Sequence, residues 1–367
     1  MVFVCNKSEI YNAIINVSKA VAERSAISCL EGIKLTLKGN ILRLTGYDLE
    51  LAIETEIPVR SADCGVILVN ARFFADIIKR VPSESITIEV FENMQLRISG
   101  GVTEYSIAAM SADEYPELPD TINCESFTIP ESVLKSMITK TIFAVSQTDV
   151  KPVLRGELFD IENGVFNLVA LDGYRLAVRT EPIKTDKSIK VVIPAKTLNE
   201  IAKLLSDEDE LSCTIKVARK HTIFEFSGYE IFTRMIEGDF HPYKAAVPKE
   251  CATEVVADTR TLIDALDRAM PLINERTNSP VKFLFENGDI DISCNSTLGN
   301  FNDKIASDDM TGPKIKIGFK CKYMQDPLKA CGDDKIKLQL SGSQMPLKII
   351  PANGKEDYTY LVLPVRL

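Results

Sequence analysis

The stretch Val66-Ile-Leu-Val-Asn-Ala-Arg72 leads an apolar run into a segment with helical spacing, and this arrangement recurs twice. The two further copies are Lys190-Val-Val-Ile-Pro-Ala-Lys196 and Lys314-Ile-Lys-Ile-Gly-Phe-Lys320. A basic residue ends each copy and returns after 124 residues both times, at positions 72, 196 and 320. A short apolar run followed by a change of period is typical of a strand that leads into a helix. A repeat of this length predicts three similar domains.

Each third of the chain also opens with apolar residues at the spacing of a helix face. These stripes are Ile10, Ile14 and Val21, then Leu134, Ile138 and Ile142, then Leu262, Leu266 and Met270. Together with the repeated stretches they predict six helices, over residues 7–24, 70–80, 130–142, 195–205, 258–270 and 319–331. Alternating segments such as Ile86-Thr-Ile-Glu-Val90 predict half-buried antiparallel strands. Hairpin turns are predicted at Gly39-Asn40, Asn163-Gly164 and Asn287-Gly288.

Two connectors divide these repeats. Ser111–Pro119 and His241–Pro248 each contain two prolines, which favour an extended segment over a helix. The pattern restarts after each connector. The sequence therefore predicts an α+β fold of three repeated domains, over residues 1–124, 125–250 and 251–367.

Charge is distributed unevenly along the chain. The whole sequence carries 43 Lys and Arg against 52 Asp and Glu, a formal net charge of −9, which excludes a surface that is basic all round. The six predicted helices reverse this balance, with 15 basic and 9 acidic residues. Helix surfaces carry Lys and Arg in many proteins, so the count alone does not decide their purpose. Repeated basic helices would nevertheless suit a phosphate backbone.

Catalytic groupings are not evident in the sequence. Nine cysteines occur without a Cys-x-x-Cys pair, the two histidines are isolated, and no glycine-rich phosphate loop is present. Three acidic clusters, Asp207–Glu210, Asp308–Asp309 and Asp333–Asp334, have the ligand type that Mg²⁺ prefers, although their polar neighbours indicate solvated turns. We therefore predict no enzyme activity, no cofactor and no metal site. No apolar segment approaches about 18 residues, so we expect a cytoplasmic location and no membrane partner.

Five strings give the chain a recognisable signature. They are Gly46-Tyr-Asp-Leu-Glu-Leu51, the segment Tyr105–Pro119, Asp172-Gly-Tyr-Arg-Leu-Ala177, Arg234-Met-Ile-Glu-Gly-Asp-Phe240 and Leu363-Pro-Val-Arg-Leu367. Across its full length the chain resembles the β subunits of bacterial DNA polymerase III, the sliding clamps. The resemblance implies three DNA-clamp domains, with antiparallel sheets outside and two helices per domain inside. It further implies that two copies close head to tail into a ring.

The resemblance also implies partners. Such a ring encircles double-stranded DNA without reading its sequence and confers processivity on the replicative DNA polymerase. The clamp loader and repair proteins are further implied partners. Phosphate contacts are then expected from Arg24, Arg72, Lys196 and Lys320. The self-interface is expected to join Tyr105 and Ile107 to Leu272 and Ile273 of the second copy.

A groove near the C-terminus is the second site that the resemblance implies, and it would take short peptides from partner proteins. The hydrophobic anchor residues of these peptides would supply most of the binding affinity. The implied residues are Leu154, Gly173, Tyr174, Arg175, Leu176, Tyr323, Met345, Pro346, Leu361, Val362, Leu363, Pro364, Val365, Arg366 and Leu367.

Departures from the family pattern fall near this groove. Tyr174 stands where many relatives carry histidine, and Phe240-His-Pro-Tyr243 replaces the usual Phe-Pro-Asp-Tyr. Around Thr277 to Pro280 an aromatic residue of some relatives is missing, so peptide preference is expected to differ. Two alternatives stay open: a metal-dependent nucleic-acid enzyme with repeated domains, which would use Asp308 or Asp333, and a monomeric repeat scaffold.

Overall fold

A computed structural model describes residues 1–119, 124–148, 151–273, 279–354 and 356–367 of the chain. These residues form two compact units. Unit 1 comprises Met1–Ser132 and Lys203–Met235, and unit 2 comprises Val133–Ala202 and Ile236–Leu367. Thr277 and Asn278, at the predicted departure near Pro280, lie outside the described residues.

The described part of the chain contains six α-helices, one for each predicted helix. Their bounds are α1 Lys7–Val17, α2 Ala71–Arg80, α3 Glu131–Thr141, α4 Ala195–Leu204, α5 Thr259–Ala269 and α6 Cys321–Cys331. The first two apolar residues of each predicted stripe are fully buried, as for Ile10 and Ile14. The third residue of each stripe lies beyond the α-helix, in or after a short 3₁₀ turn. The apolar stripes therefore predict the buried helix face correctly and overestimate the lengths of these helices.

Side-chain caps explain where several helices start. Asn6 accepts hydrogen bonds from the backbone N–H groups of Ser8 and Glu9, at 2.8 and 3.3 Å, before α1. Asn70 and Asp258 cap α2 and α5 in the same way. In α6, Pro327 lies inside a continuous helix, which ends at Gly332 with a left-handed φ of 73°. Pro327 therefore does not interrupt α6.

Unit 1 contains two antiparallel sheets over its described residues. The first has the order β1-β6-β7-β8, with β1 Val2–Asn6, β6 Ser85–Val90, β7 Gln95–Gly100 and β8 Thr103–Ala108. The second has the order β5-β2-β3-β4-β16-β15-β14-β9. Its strands are β2 Gly32–Lys38, β3 Ile41–Tyr47, β4 Leu51–Pro58, β5 Cys64–Asn70, β9 Glu125–Pro130, β14 Ser212–Val217, β15 His221–Phe226 and β16 Tyr229–Arg234.

Unit 2 also contains two antiparallel sheets over its described residues. The larger has the order β13-β10-β11-β12-β25-β24-β23-β17-β21. Its strands are β10 Gly156–Glu162, β11 Val165–Leu171, β12 Arg175–Pro182, β13 Ile189–Pro194, β17 Thr253–Asp258, β21 Asp309–Thr311, β23 Lys335–Leu340, β24 Leu347–Pro351 and β25 Asp357–Val362. The smaller has the order β20-β19-β18-β22, with β18 Val281–Glu286, β19 Asp289–Ser296, β20 Gly299–Ala306 and β22 Ile315–Phe319. The α+β prediction is confirmed.

The predicted hairpin turns join consecutive strands as expected. Asn163 and Gly164 connect β10 to β11 with φ values of 53° and 75°, the left-handed pair that a two-residue hairpin requires. Asn287 and Gly288 repeat this geometry between β18 and β19. Hairpins of this kind fix strand register, and register decides which residues reach each face.

The large sheet of unit 2 has apolar residues on both faces. Directly opposed residues of an antiparallel pair share a face, so Leu158, Val169 and Val178 form one row. That row packs under Phe240 and Tyr243. The opposite face carries helix-covered residues that include Ala170, Ala177 and Tyr360. Consecutive residues of β25 therefore pack in different hydrophobic cores, one on each face of the sheet. This alternation determines the shape of the site described next.

Within the described ranges, no helix is long and apolar enough to cross a membrane.

Candidate functional site

The C-terminal tail is held by backbone pairing on both sides. Beyond β25, the Leu363 N–H donates to the Tyr174 carbonyl across 2.8 Å, and the Val365 N–H donates to the Gly318 carbonyl across 2.9 Å. Gly318 allows this approach because a Cβ atom there would lie 2.4 Å from Leu367 Cδ2. The tail therefore lies between the start of β12 and the strand β22.

An apolar pocket of about 150 Å³ opens beside this tail. Its lining combines the turn before β12, the connector after Phe240 and the tail. The lining residues are Leu171, Gly173, Tyr174, Arg175, Leu176, His241, Tyr243, Ala246, Pro346, Leu361 and Leu363. Such an apolar recess with a polar rim suits the hydrophobic anchor of an extended peptide.

Tyr243 closes the pocket from the connector side. Its hydroxyl donates to Asp160 Oδ2 across 2.6 Å, and burial together with this carboxylate raises the pKa of Tyr243. The hydroxyl therefore stays neutral and bonded, and the ring presents its apolar face to the pocket. Gly173, at a φ of 88°, supplies the left-handed turn that carries the chain into β12.

Arg175 is buried rather than exposed in the groove, with 9% of its surface accessible. Its Nε donates to Asp172 Oδ2 across 3.0 Å, and its Nη1 bonds to Asp326 in α6. The guanidinium also lies over the rings of Phe143 and Tyr323, at 5.5 and 4.8 Å from their centroids. This side chain therefore fixes the turn before β12 against α6.

The Asp172 carboxylate also organises the turn itself. Its Oδ1 accepts the N–H groups of Tyr174 and Arg175, at 2.9 and 3.1 Å. This is the side-chain turn that Asp commonly forms with residues two and three positions ahead. The string Asp172-Gly-Tyr-Arg thereby places Tyr174 outward while it turns Arg175 inward.

Two tyrosines form the outer wall of the groove. The rings of Tyr174 and Tyr323 stack, with centroids 5.6 Å apart and planes inclined by 29°. Lys320 Nζ lies 5.0 Å from the Tyr174 centroid and 5.2 Å from the Tyr323 centroid. Partial burial and the nearby Asp172 charge raise the pKa of Tyr323. The wall is therefore aromatic, with a cation over it.

The remaining residues of the implied groove divide by face. Leu176 and Leu361 pack in the core under the pocket, and Leu154 packs against the same core. Met345 and Leu363 are exposed at its rim. Val362 is fully buried in the other core, because successive residues of β25 point to opposite faces. Inclusion of Val362 among peptide contacts is therefore wrong on geometric grounds.

Four pocket residues were missed by the sequence analysis: Leu171, His241, Tyr243 and Ala246. Three of them come from the connector that the two prolines mark, which the sequence analysis treated as a boundary and as a departure near the groove without counting its residues among the peptide contacts. The unusual string Phe240-His-Pro-Tyr243 was the available signal, because an aromatic pair in a connector needs a surface to cover.

Two of the four basic residues expected to face DNA, Arg72 and Lys196, lie at exposed helix positions. Arg24 and Arg72 are exposed and line one concave surface of unit 1, between α2 and the segment after α1. Lys196 is exposed as the second residue of α4. Lys320 precedes α6 and lies over the groove tyrosines.

Lys322, rather than Lys320, is the structural equivalent of Arg72 and Lys196. Each of these three residues is the second residue of its helix and is exposed. The equal sequence interval was misleading because α4 begins 124 residues after α2, whereas α6 begins 126 residues after α4. The predicted equivalence of Arg72, Lys196 and Lys320 is therefore wrong.

The residues of the expected self-interface lie at edges. Tyr105 and Ile107 alternate with exposed neighbours on β8, which is the last strand of its sheet. Leu272 ends a 3₁₀ turn after α5 and is half-buried, as is Ile273. An unpaired strand edge with half-buried apolar side chains is suited to pairing with another chain.

The acidic clusters do not converge in the described part of the chain. Asp308 pairs with Lys335 at 3.3 Å, while Asp333 follows α6 in a loop. Over the described residues, no group of three or more histidine, cysteine, aspartate or glutamate side chains is arranged to hold a metal ion.

Three known domain families match the chain, one for each predicted repeat. The descriptions "DNA polymerase III beta subunit, N-terminal domain", "central domain" and "C-terminal domain" match residues 1–119, 128–242 and 244–366. The order of the three matches is that of the three predicted repeats.

Individual relatives are similar over their full lengths. The chain is 33% identical over 378 residues to the beta sliding clamp of Bacillus subtilis, covering 100% of both chains. It is 32% identical over 380 residues to the beta sliding clamp of Halalkalibacterium halodurans, again covering 100% of both. The crystal structure of the Bacillus subtilis DNA polymerase sliding clamp superposes with a TM-score of 0.96 at 32% identity, covering 100% of this chain and 99% of that one.

Proposed function

Because the chain belongs to the family of DNA polymerase III beta subunits, the beta sliding clamps, we propose that it encircles duplex DNA and tethers the replicative polymerase. It is a processivity factor and not an enzyme, so its work is mechanical: a closed ring remains on DNA without reading the bases. Two copies of the chain form that ring. The full-length similarity to sliding clamps is the observation that carries this function.

The second working surface is the groove between the tail and the tyrosine wall. We infer that a partner peptide lies along it in an extended form, with a hydrophobic side chain in the 150 Å³ pocket. Leu176 and Leu361 form the floor, and Tyr174, Met345 and Leu363 supply exposed contact area. Clamp loader, polymerase and repair proteins would compete for this one site.

The inner surface is proposed to contact phosphate through exposed basic residues, three of them at the second position of a helix and Arg24 in the segment after α1. Arg24, Arg72 and Lys196 are supported by their exposure, and Lys322 replaces Lys320 in this set. Such contacts hold DNA by charge, independently of its sequence. An excess of acidic residues elsewhere in the chain would limit nonspecific binding outside the ring.

The ring interface is proposed to join the β8 edge of one copy to the Leu272–Ile273 segment of the other. Half-buried apolar side chains on both segments support this pairing. Domain boundaries at 124/125 and 250/251 are proposed with it, and the breaks between the family matches, at 119–128 and 242–244, lie near them. A cytoplasmic location, where bacterial replication occurs, is proposed as well.

Topological retention on DNA tests this function. The chain is loaded by the clamp loader onto nicked circular DNA, isolated by gel filtration, and then exposed to a restriction enzyme that linearises the circle. We expect stable retention on the circle and rapid loss from the linear product. Equal rates of release from the circle and from the linear product would show ordinary binding and would overturn the clamp function.

A further inference from the structure

Three carboxylates lie side by side in the middle of the larger sheet of unit 1. Glu225 on β15 is directly opposite Glu230 on β16, and Glu230 is directly opposite Glu54 on β4. Opposed residues of antiparallel strands share a face, so the three side chains form one row. Like charges in this arrangement weaken the pairing of their strands. The row crosses the β4–β16 pair, in which a strand of the N-terminal domain match meets a strand of the central domain match.

Glu230 is the least compensated member of this row. The Lys216 Nζ bonds to Glu225, and the Thr45 hydroxyl donates to Glu54. Within the described ranges, Glu230 itself forms no hydrogen bond and no ion pair. Its side chain is half-buried, and burial together with the charges of Glu225 and Glu54 raises the pKa of Glu230. The middle of the row is therefore the place where ionisation is most unfavourable.

The cations near the row are engaged with other groups. On β3, the Arg43 Nε donates to Glu56 across 2.8 Å, while its Nη1 lies 3.9 Å from Glu54. On β2, the Lys34 Nζ lies 5.0 Å from the ring centroid of Tyr115, which covers this face of the sheet. The charged groups that act on Glu230 are Glu225 of β15, Glu54 of β4, Lys216 of β14 and Arg43 of β3. Both carboxylates are on the strands next to β16, whereas both cations are one strand farther away.

The β12–β25 pair of unit 2 has the same backbone frame as the β4–β16 pair. At the end of the β4–β16 pair, the Arg234 N–H donates to the Glu50 carbonyl across 2.9 Å. At the end of the β12–β25 pair, the Leu363 N–H donates to the Tyr174 carbonyl across 2.8 Å. These two bonds define equivalent positions in the two pairs of strands.

The equivalent position in unit 2 carries no charge. Glu54 and Glu230 each lie four residues from the bond that ends their pair, and the residues four positions from the corresponding bond in unit 2 are Val178 and Thr359. Val178 and Thr359 are directly opposite each other. The backbone frame therefore does not require opposed carboxylates, and the row is a particular feature of the β4–β16 pair.

We propose that the β4–β16 pair is a joint within the chain that loosens as the pH rises and tightens as it falls. When Glu230 is protonated, the repulsion from its two neighbours is relieved. Opening of the pair hydrates the carboxyl groups and returns their pKa towards the usual 4.5 of glutamate. The closed pair therefore holds protons that the open pair releases, so opening becomes more favourable above about pH 4.5. This inference concerns neither the peptide groove nor the contacts with DNA.

Amide hydrogen exchange of the native full-length protein, measured by mass spectrometry, tests the proposal. Protection factors are corrected for the intrinsic pH dependence of exchange and compared at pH 5 and pH 8 for residues 51–58 and 229–234. Strands β2 and β5, at one end of the same sheet, provide the internal reference. Glu230→Gln removes the charge and keeps the shape of the side chain. Glu125→Gln, at an exposed glutamate of β9 in the same sheet, is the matched control.

We expect protection of β4 and β16 to be about three- to fivefold lower at pH 8 than at pH 5, with a smaller change in β2 and β5. Glu230→Gln should raise the protection of the pair at pH 8 by a similar factor and remove most of its pH dependence. Glu125→Gln should change neither quantity. Added salt should also raise protection at pH 8, because it screens the repulsion.

Three results would overturn the proposal. The first is unchanged protection of β4 and β16 at pH 8 in a folded Glu230→Gln protein. The second is an equal rise in β2 and β5, which would indicate a change of the whole sheet and not of one joint. The third is the same rise in Glu125→Gln. If Glu230→Gln did not fold, Glu225→Gln would remove the neighbouring charge, and the absence of a rise in that variant would overturn the proposal instead.

Discussion

Tyr174 and Tyr323 stack face to face with their centroids 5.6 Å apart, although one belongs to the turn before β12 and the other to α6. The stack turns two separate segments of unit 2 into one wall of the groove. Because Tyr174 has 53% of its surface exposed, much of that wall remains available to a ligand. Because Tyr174 lies next to the apolar pocket, it is the first residue to mutate.

Replacement of Tyr174 by alanine should weaken peptide binding without unfolding the protein. Truncation of an aromatic contact in an interface costs about 1–2 kcal/mol, or roughly a five- to thirtyfold loss of affinity. Polarisation with a labelled peptide measures the affinity, and thermal unfolding checks the fold. Phe73→Ala, at an exposed aromatic residue of α2 in unit 1, is the control and should bind normally. Unchanged affinity for Tyr174→Ala would remove the tyrosine wall from the site.

Arg175 is predicted to stabilise the site rather than to contact the peptide. Arg175→Ala leaves Asp172 and Asp326 without their buried cation, which should lower the free energy of unfolding by about 2–4 kcal/mol. Denaturant unfolding measures the loss. Arg366→Ala removes an exposed arginine of the tail and should leave stability within about 0.5 kcal/mol of wild type. A stable Arg175→Ala protein that no longer binds peptide would instead indicate direct contact.

Glu157 gives unit 2 a pH-dependent stability. Its carboxyl group is fully buried in β10, and burial raises its pKa from 4.5 to about 8. Neither oxygen accepts a hydrogen bond from the described residues, and the neighbouring Thr141 hydroxyl donates to the Met137 carbonyl at 2.8 Å. Between about pH 4.5 and 8 the folded chain therefore holds a proton that the unfolded chain has released.

Stability should accordingly fall as the pH rises through this range. A raised pKa corresponds to about 1.4 kcal/mol per unit, so we expect a loss of about 2–4 kcal/mol from pH 5 to pH 8 through Glu157. Urea unfolding of the wild type and Glu157→Gln at both pH values isolates this contribution. The glutamine variant should show a flatter profile and greater relative stability at pH 8. Parallel profiles for the two proteins would contradict the assignment.

Charge reversal separates the roles of Lys320 and Lys322. Lys322→Glu should shorten retention on circular DNA and reduce its dependence on salt, because it removes a phosphate contact. Lys320→Glu should change DNA retention much less and should affect peptide binding instead. Salt titration of the dissociation rate measures both variants. If Lys320→Glu had the larger effect on DNA, the equal sequence interval would have identified the right residue.

Local sequence patterns predicted most of the fold, because apolar stripes, alternating segments and Asn-Gly turns act over a few residues. The helix starts at Ala71 and Ala195 follow such signals closely. The offset at α6 was hidden because β22 ends 125 residues after β13 and Lys320 then separates β22 from α6, whereas β5 and β13 lead directly into α2 and α4. Equal spacing in the sequence therefore no longer means an equal position in the fold.

The parts of the site that depend on distant partners were not predictable in this way. Burial of Arg175 requires Asp326, which lies far along the chain in α6. Val362 is buried because β25 pairs with β12 in a particular register, which no local pattern reveals. Tyr243 enters the pocket only because its connector folds back over β10, where it meets Asp160.

The central claim is that two copies of this chain close into a ring, and small-angle X-ray scattering with absolute mass calibration tests it most directly. The native protein is measured alone, at micromolar concentration and without DNA. We predict a mass of twice 40.7 kDa and a pair-distance distribution that fits a hollow annulus. A compact particle of 40.7 kDa would contradict the ring and the clamp function that depends on it.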